Sequence, residues 1–138
     1  MKKLIYLLAL SMLVSGCATL VASTMSQATF LNRQNLLKLN IGMTKAEAIT
    51  TMGTKPIIVY SGGVFGTQVQ INNPYRSEIL SGEKKNLEVI YYATDVKADE
   101  NYITDDELTP LVFSDGKLIG WGQSLLQDNV QKYEIRAR

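Results

Sequence analysis

The residues able to do chemistry are few in this chain, and the missing ones decide most. Among 138 residues there is no histidine and one cysteine, Cys17. Ser-His and Cys-His relays and histidine metal sites are therefore excluded. A single thiol can neither close an internal disulfide nor build a cysteine zinc site. Carboxylates remain, since Asp95, Asp99, Glu100, Asp105, Asp106 and Glu107 crowd the stretch DVKADENYITDDEL. Clustered oxygens suit hard cations, but this spacing matches no EF-hand loop and has no glycine at its bend. A solvated, charged loop between strands is the expected reading. Asp105-Asp106 offers adjacency without the cleft that acid–base work needs. The glycine-rich segments 61–66 and 120–122 are followed by no Gly-Lys-Ser/Thr, so neither is a phosphate loop. The expectation is no catalytic residue, no metal and no cofactor, with only a lysine-based nucleophile left open.

Composition points the same way. Fourteen basic residues face 13 acidic ones, for a net charge of +1. No basic excess or stripe marks a nucleic-acid partner. The length suits one domain, and 46% hydrophobic residues can supply its core.

The one cysteine has a specific setting. Lys2 and Lys3 precede an eleven-residue apolar run, Leu4 to Val14, and then Ser15-Gly16-Cys17. Eleven helical residues span about 16 Å, half of a ~30 Å hydrocarbon core, so the run fits a signal-peptide segment rather than a membrane span. Val14-Ser15-Gly16-Cys17 resembles a bacterial lipobox. The resemblance implies cleavage between Gly16 and Cys17, a diacylglyceryl thioether on Cys17 and acylation of its amine, with palmitate as a typical chain. The bland alternative is a secreted protein with a cysteine near its cleavage site. Two or three buried acyl chains hold a protein on a bilayer essentially for good. Ala18, where an inner-membrane lipoprotein typically has aspartate, favours the outer membrane. Loss of residues 1–16 leaves a mature chain of 122 residues with net charge −1, which gives little electrostatic reason to seek anionic lipid.

The elements that follow divide the chain into residues 1–16 as signal, 17–27 as acylated cysteine and flexible tether, 28–126 as the folded domain and 127–138 as a polar, fraying tail. Thr29–Leu39 has helical spacing through Phe30, Arg33, Leu36, Leu37 and Leu39. Thr44 and Glu47 form a capping box for a second helix, Lys45–Met52, which Gly53 and Pro56 stop. Ile57–Tyr60 and Val64–Ile71 read as strands, Tyr75–Leu80 as a helical turn after Asn73-Pro74, and Leu87–Val96 as the best strand. Asp115-Gly116 between apolar runs predicts a type I′ hairpin. Two short N-terminal helices packed on one face of a small antiparallel sheet make an α+β fold.

The phrase LNIGMTKAEAITTMG (residues 39–53), with Pro56 close behind, resembles the SmpA/OmlA (BamE-like) envelope lipoproteins. That family pairs a G-x-(T/S)-x-x-(E/Q)-V helix with a strand carrying paired aromatics, here Tyr91-Tyr92. A (V/I)-x-F-x-(D/N)-G hairpin strand follows, here LVFSDG (111–116). The likeness spans about Leu39–Trp121. A Gly-Thr-Lys-Pro stop and a longer span 57–85 depart from the pattern. The resemblance implies a fold shared with β-lactamase-inhibitor proteins and a role by contact, accessory to outer-membrane assembly or integrity.

Candidate contact residues are Tyr75, Arg76, Tyr91, Tyr92 and Trp121. Trp121 between Gly120 and Gly122 reads first as a core indole beside a bulge and second as a partner anchor. Asn73–Glu78 is either a structural turn or a contact surface. Two functions follow. One is a non-enzymatic, membrane-anchored module that binds envelope proteins, with Ile57–Tyr60 as an edge strand for pairing. The other is a small-ligand or inhibitor module using a concave face lined by Tyr60, Tyr91, Tyr92 and Trp121.

Overall fold

The computed structural model describes residues 18–61, 67–95 and 103–135. Cys17, Gly16 and the apolar run before them lie outside the described residues, as do Asp99 and Glu100.

Helix α1 spans Ala18–Leu36 and α2 spans Lys45–Met52. Strands β1 (Ile57–Ser61) and β2 (Thr67–Ile71) pair only with each other. Strands β3 (Arg76–Ser81), β4 (Asn86–Ala93), β5 (Leu108–Ser114) and β6 (Lys117–Trp121) form an antiparallel meander in that order. Helix α3 (Gln123–Lys132) closes the described chain. The fold is α+β. No helix among the described residues is long and apolar enough to cross a membrane.

The capping box at α2 forms as its residues require. The Glu47 N–H donates to Thr44 Oγ1 at 3.2 Å, and the Thr44 N–H donates to a Glu47 carboxylate oxygen at 2.7 Å. Gly53, at φ 86°, ends the helix. In the β5–β6 turn Asp115 and Gly116 both take positive φ, 53° and 73°. This is the backbone that an Asp-Gly hairpin needs. A register break between Val112 and Phe113 faces Gly120, placing a bulge beside Trp121.

The central strands β4 and β5 are buried on both faces. On one side Ile90, Tyr92, Leu111, Phe113 and Leu118 pack with Leu39, Ala48 and Met52, beneath the end of α1 and beneath α2. On the other, Leu87, Val89, Tyr91, Leu108 and Val112 pack with Leu126 of α3. Burying one such aliphatic or aromatic side chain contributes about 1.5–3 kcal/mol, so each face is a substantial stabiliser.

Four sequence expectations change. Helices cover both sheet faces, because Leu125, Leu126 and Val130 give the polar 123–132 stretch enough apolar surface to pack. That stretch is a helix where the tail from 127 was expected to fray, and Ile135 beyond it packs on the same cluster. Helix α1 starts at Ala18, inside the stretch read as tether, and ends at Leu36. Residues 76–81 form strand β3 in place of a helical turn: Tyr75 N–H donates to Tyr91 O at 2.8 Å, and Arg76 to Ser81 stay in register with β4.

The two sheet edges differ. The outer side of β6 is occupied: Gly42 N–H donates to Leu118 O and Leu118 N–H to Met43 O, both at 2.8 Å. The outer side of β3 has no strand partner among the described residues. A single bridge, Gly82 to Ile135, lies just past its end.

Candidate functional site

Strand alternation builds the surface around this open edge. Arg76, Glu78 and Leu80 face the side occupied by Tyr91, Val89 and Leu87, while Ser77, Ile79 and Ser81 face the other. Ile79 is 69% exposed, which is unusual for an isoleucine in the middle of a strand.

Arg76 stands on the Tyr91 ring, its guanidinium carbon 4.3 Å from the ring centroid. It also donates to Asp105 at 2.8 Å. The Asp105 carboxylate raises the guanidinium pKa above its ordinary value. The Tyr91 phenol donates to the Glu78 carboxylate. Burial, then the neighbouring Glu78 carboxylate, pushes that phenol up to about 12. It is a neutral donor at ordinary pH and no nucleophile. The group is a rigid, charged corner of an open strand edge, suited to recognition.

The structure thus brings Tyr75, Arg76 and Tyr91 together, with Tyr75 half-buried against the α3-side core. It separates Tyr92 and Trp121 from them. Tyr92 is fully buried on the opposite face, donates to Gly53 O at 3.2 Å, and is raised to about 12 by burial. A partner cannot touch it. Trp121 is half-buried against that same core cluster. Because Tyr91 and Tyr92 alternate across the sheet, the common aromatic face expected for a ligand does not form. Ile57–Tyr60, expected as an edge strand, pairs with β2 along one edge, and its other edge has no strand partner among the described residues.

Glu78 lay in the 73–78 candidate stretch but was not singled out, and Asp105, which reaches Arg76 only through the tertiary fold, was missed. Ile79, exposed on the opposite face of the strand, was missed as well; the alternation in RSEILS carried the signal for both strand residues.

The acidic residues described here are held by other groups. Asp95 pairs with Arg33 at 2.7 Å and Asp105 with Arg76, while Asp106 accepts from Thr104 Oγ1 at 2.6 Å. Glu107, which is buried, accepts from the Thr104 N–H at 2.7 Å. No group of three metal-ligating side chains is assembled among the described residues. A groove of about 420 Å³ runs between α1 and the start of β1, lined by Ala28, Leu31, Asn32, Met52, Pro56 and Ile57 among others.

Residues 21–128 match a family model described as "Protein of unknown function (DUF3192)". No curated protein and no solved structure matches the chain.

Proposed function

The chain belongs to the DUF3192 family, and from that premise we propose that it is a non-enzymatic, lipid-anchored envelope protein that works by binding other proteins. The open outer edge of β3, with the Arg76–Tyr91–Asp105 corner and exposed Ile79, is the observation that carries this reading. An unpaired strand edge offers backbone donors and acceptors to an extended segment, and flanking side chains supply the selectivity. The lipobox-like Val14-Ser15-Gly16-Cys17 supports the anchor, and Ala18 supports an outer-membrane address. A tether concentrates the module at the membrane, so contacts of modest strength suffice. The resemblance to SmpA/OmlA lipoproteins supports an accessory part in outer-membrane assembly or integrity.

Two experiments test this. Palmitate labelling of wild type beside Cys17→Ser should give acylation that the substitution abolishes. A photocrosslinking residue at Ile79 should then capture a discrete envelope protein that the same residue at Gln127 does not. Equal labelling of both forms would remove the anchor, and equal capture at both positions would remove the edge as the contact.

A further inference from the structure

The part of helix α1 from Thr29 to Asn32 turns polar residues inward and apolar ones outward. Thr29 and Asn32 point inward, 4% and 2% exposed, while Phe30 is 56%, Leu31 52% and Leu37 80% exposed. Asn32 donates to Ala93 O at 2.7 Å and to Asn73 Oδ1 at 3.1 Å, which fixes the helix in this orientation. Phe30 and Leu31 lie in the last two turns of α1, and Leu37 is the first residue past its end at Leu36. Ile41, in the turn that follows, is 75% exposed. Single surface hydrophobics are ordinary. Here four of the five large exposed hydrophobics among the described residues fall within positions 30–41.

We infer that the end of α1 and the turns after it rest on phospholipid, with Phe30, Leu31, Leu37 and Ile41 at the boundary between headgroups and acyl chains. The inference rests on the lipid-anchor reading, because the described part of α1 reaches back to Ala18, the residue after Cys17. A helix starting at the anchor keeps its own surface near the bilayer when it lies along it. Charge agrees with this placement. Between Cys17 and Ala46 the chain carries Arg33, Lys38 and Lys45 and no acidic residue, whereas residues 47–138 carry 13 acidic against nine basic ones. Arg33 and Lys45 pair with Asp95 and Glu88, while Lys38, next to Leu37, bonds the neutral Asn35 at 2.8 Å. The nearly neutral whole-chain charge hides this division. A segment without acidic groups of its own approaches an anionic leaflet at little repulsive cost.

The test uses the acylated full-length protein in vesicles of phosphatidylethanolamine and phosphatidylglycerol. Cys17 is the chain's one cysteine, so in acylated Phe30→Cys, Leu37→Cys and Ile79→Cys variants the introduced thiol alone accepts a nitroxide label. The ratio of oxygen to nickel-chelate accessibility should be several-fold higher at positions 30 and 37 than at 79. Exchanging phosphatidylglycerol for a zwitterionic lipid should narrow that contrast. Water-like values at 30 and 37 would overturn the inference, as would shielding seen in native membranes but absent from vesicles, which would assign the face to a protein. A second label on Cys17, read by mass, would instead overturn the anchor, while the depth at position 30 still decides the seating.

Discussion

The guanidinium of Arg76 lies over the ring of Tyr91 while the Tyr91 phenol reaches the Glu78 carboxylate two residues further along β3. The buried tyrosine of β4 is therefore the platform on which the edge strand sets its charges. Cation–π contacts of this exposure contribute about 0.5–1 kcal/mol and an exposed ion pair about as much or less. Arg76→Ala should lower stability by about 1 kcal/mol and reduce crosslinking at Ile79 by more than that loss explains. Unfolding midpoints and crosslink yields from the same preparations check this. A Tyr91→Phe chain keeps the ring and removes the hydroxyl that bonds Glu78 and interacts with Arg76, so Arg76 should retain its ring and Asp105 contacts and capture should persist.

Local rules accounted for the parts of the fold that a few adjacent residues decide. The Thr44–Glu47 box and the Asp115-Gly116 turn satisfy their own backbone groups, so their residues announce them. The orientation of α1 was not legible in the same way. Phe30 and Leu37 have the spacing of a core stripe, yet Asn32 takes the inward side, with Thr29 beside it, because Ala93 O and Asn73 wait there for the Asn32 amide, more than forty residues away. Helix α3 was obscured because its apolar strip is short and Gly120-Trp121-Gly122 reads as a turn. Arg76 was legible as a candidate, but its partner Asp105 lies 29 residues further along the chain.

Asn32 gives the second prediction. Its amide joins α1 to the end of β4 in a buried setting. Removing it leaves the Ala93 carbonyl short of a donor, and an unsatisfied buried polar group costs about 1–3 kcal/mol. Asn32→Ala should lose that much in urea titration. Asn32→Asp should lose more, because a carboxylate would face the Ala93 carbonyl oxygen with no hydrogen to offer.

Tyr91 and Tyr92 give a pH dependence. Both phenols are pushed up to about 12, Tyr92 by burial and Tyr91 by burial followed by the Glu78 carboxylate. An ordinary tyrosine titrates near 10. In the window between these values the unfolded chain has already released protons that the folded chain retains. Stability is therefore complete below pH 10 and falls as pH rises from 10 towards 12. Each pKa unit corresponds to 1.36 kcal/mol, so the loss should be on the order of 2 kcal/mol for each of the two. Denaturant midpoints at stepped pH check the slope, and Tyr92→Phe should make it shallower. A flat profile across this window would contradict the assignment.

Gly82 joins β3 to the end of the chain, and the geometry there leaves no room for a side chain. A Cβ at this position would lie 2.5 Å from the Tyr133 carbonyl oxygen and 2.9 Å from that of Lys85. Both are backbone atoms, so neither can turn aside as a flexible side chain would. The Gly82 N–H also donates to Lys85 O at 3.1 Å, which holds the β3–β4 turn in place. Gly82→Ala must therefore displace either that turn or the segment Tyr133–Ile135. The latter should give way first, because the turn is secured on both sides by paired strands, while the segment past α3 is held by backbone bonds to the end of α3 alone, by the Gly82–Ile135 bridge and by packing of Tyr133 and Ile135 on the α3-side core. The expected outcome is a modest drop in overall stability, about 1–3 kcal/mol as for other overpacked sites, together with faster proteolysis after Lys132. Lys84 pairs with Glu134 across the same junction, yet Lys84→Ala should leave proteolysis nearly unchanged, since exposed pairs contribute little. Limited digestion of the two variants side by side, read by mass, separates a steric lock at Gly82 from an electrostatic one at Lys84.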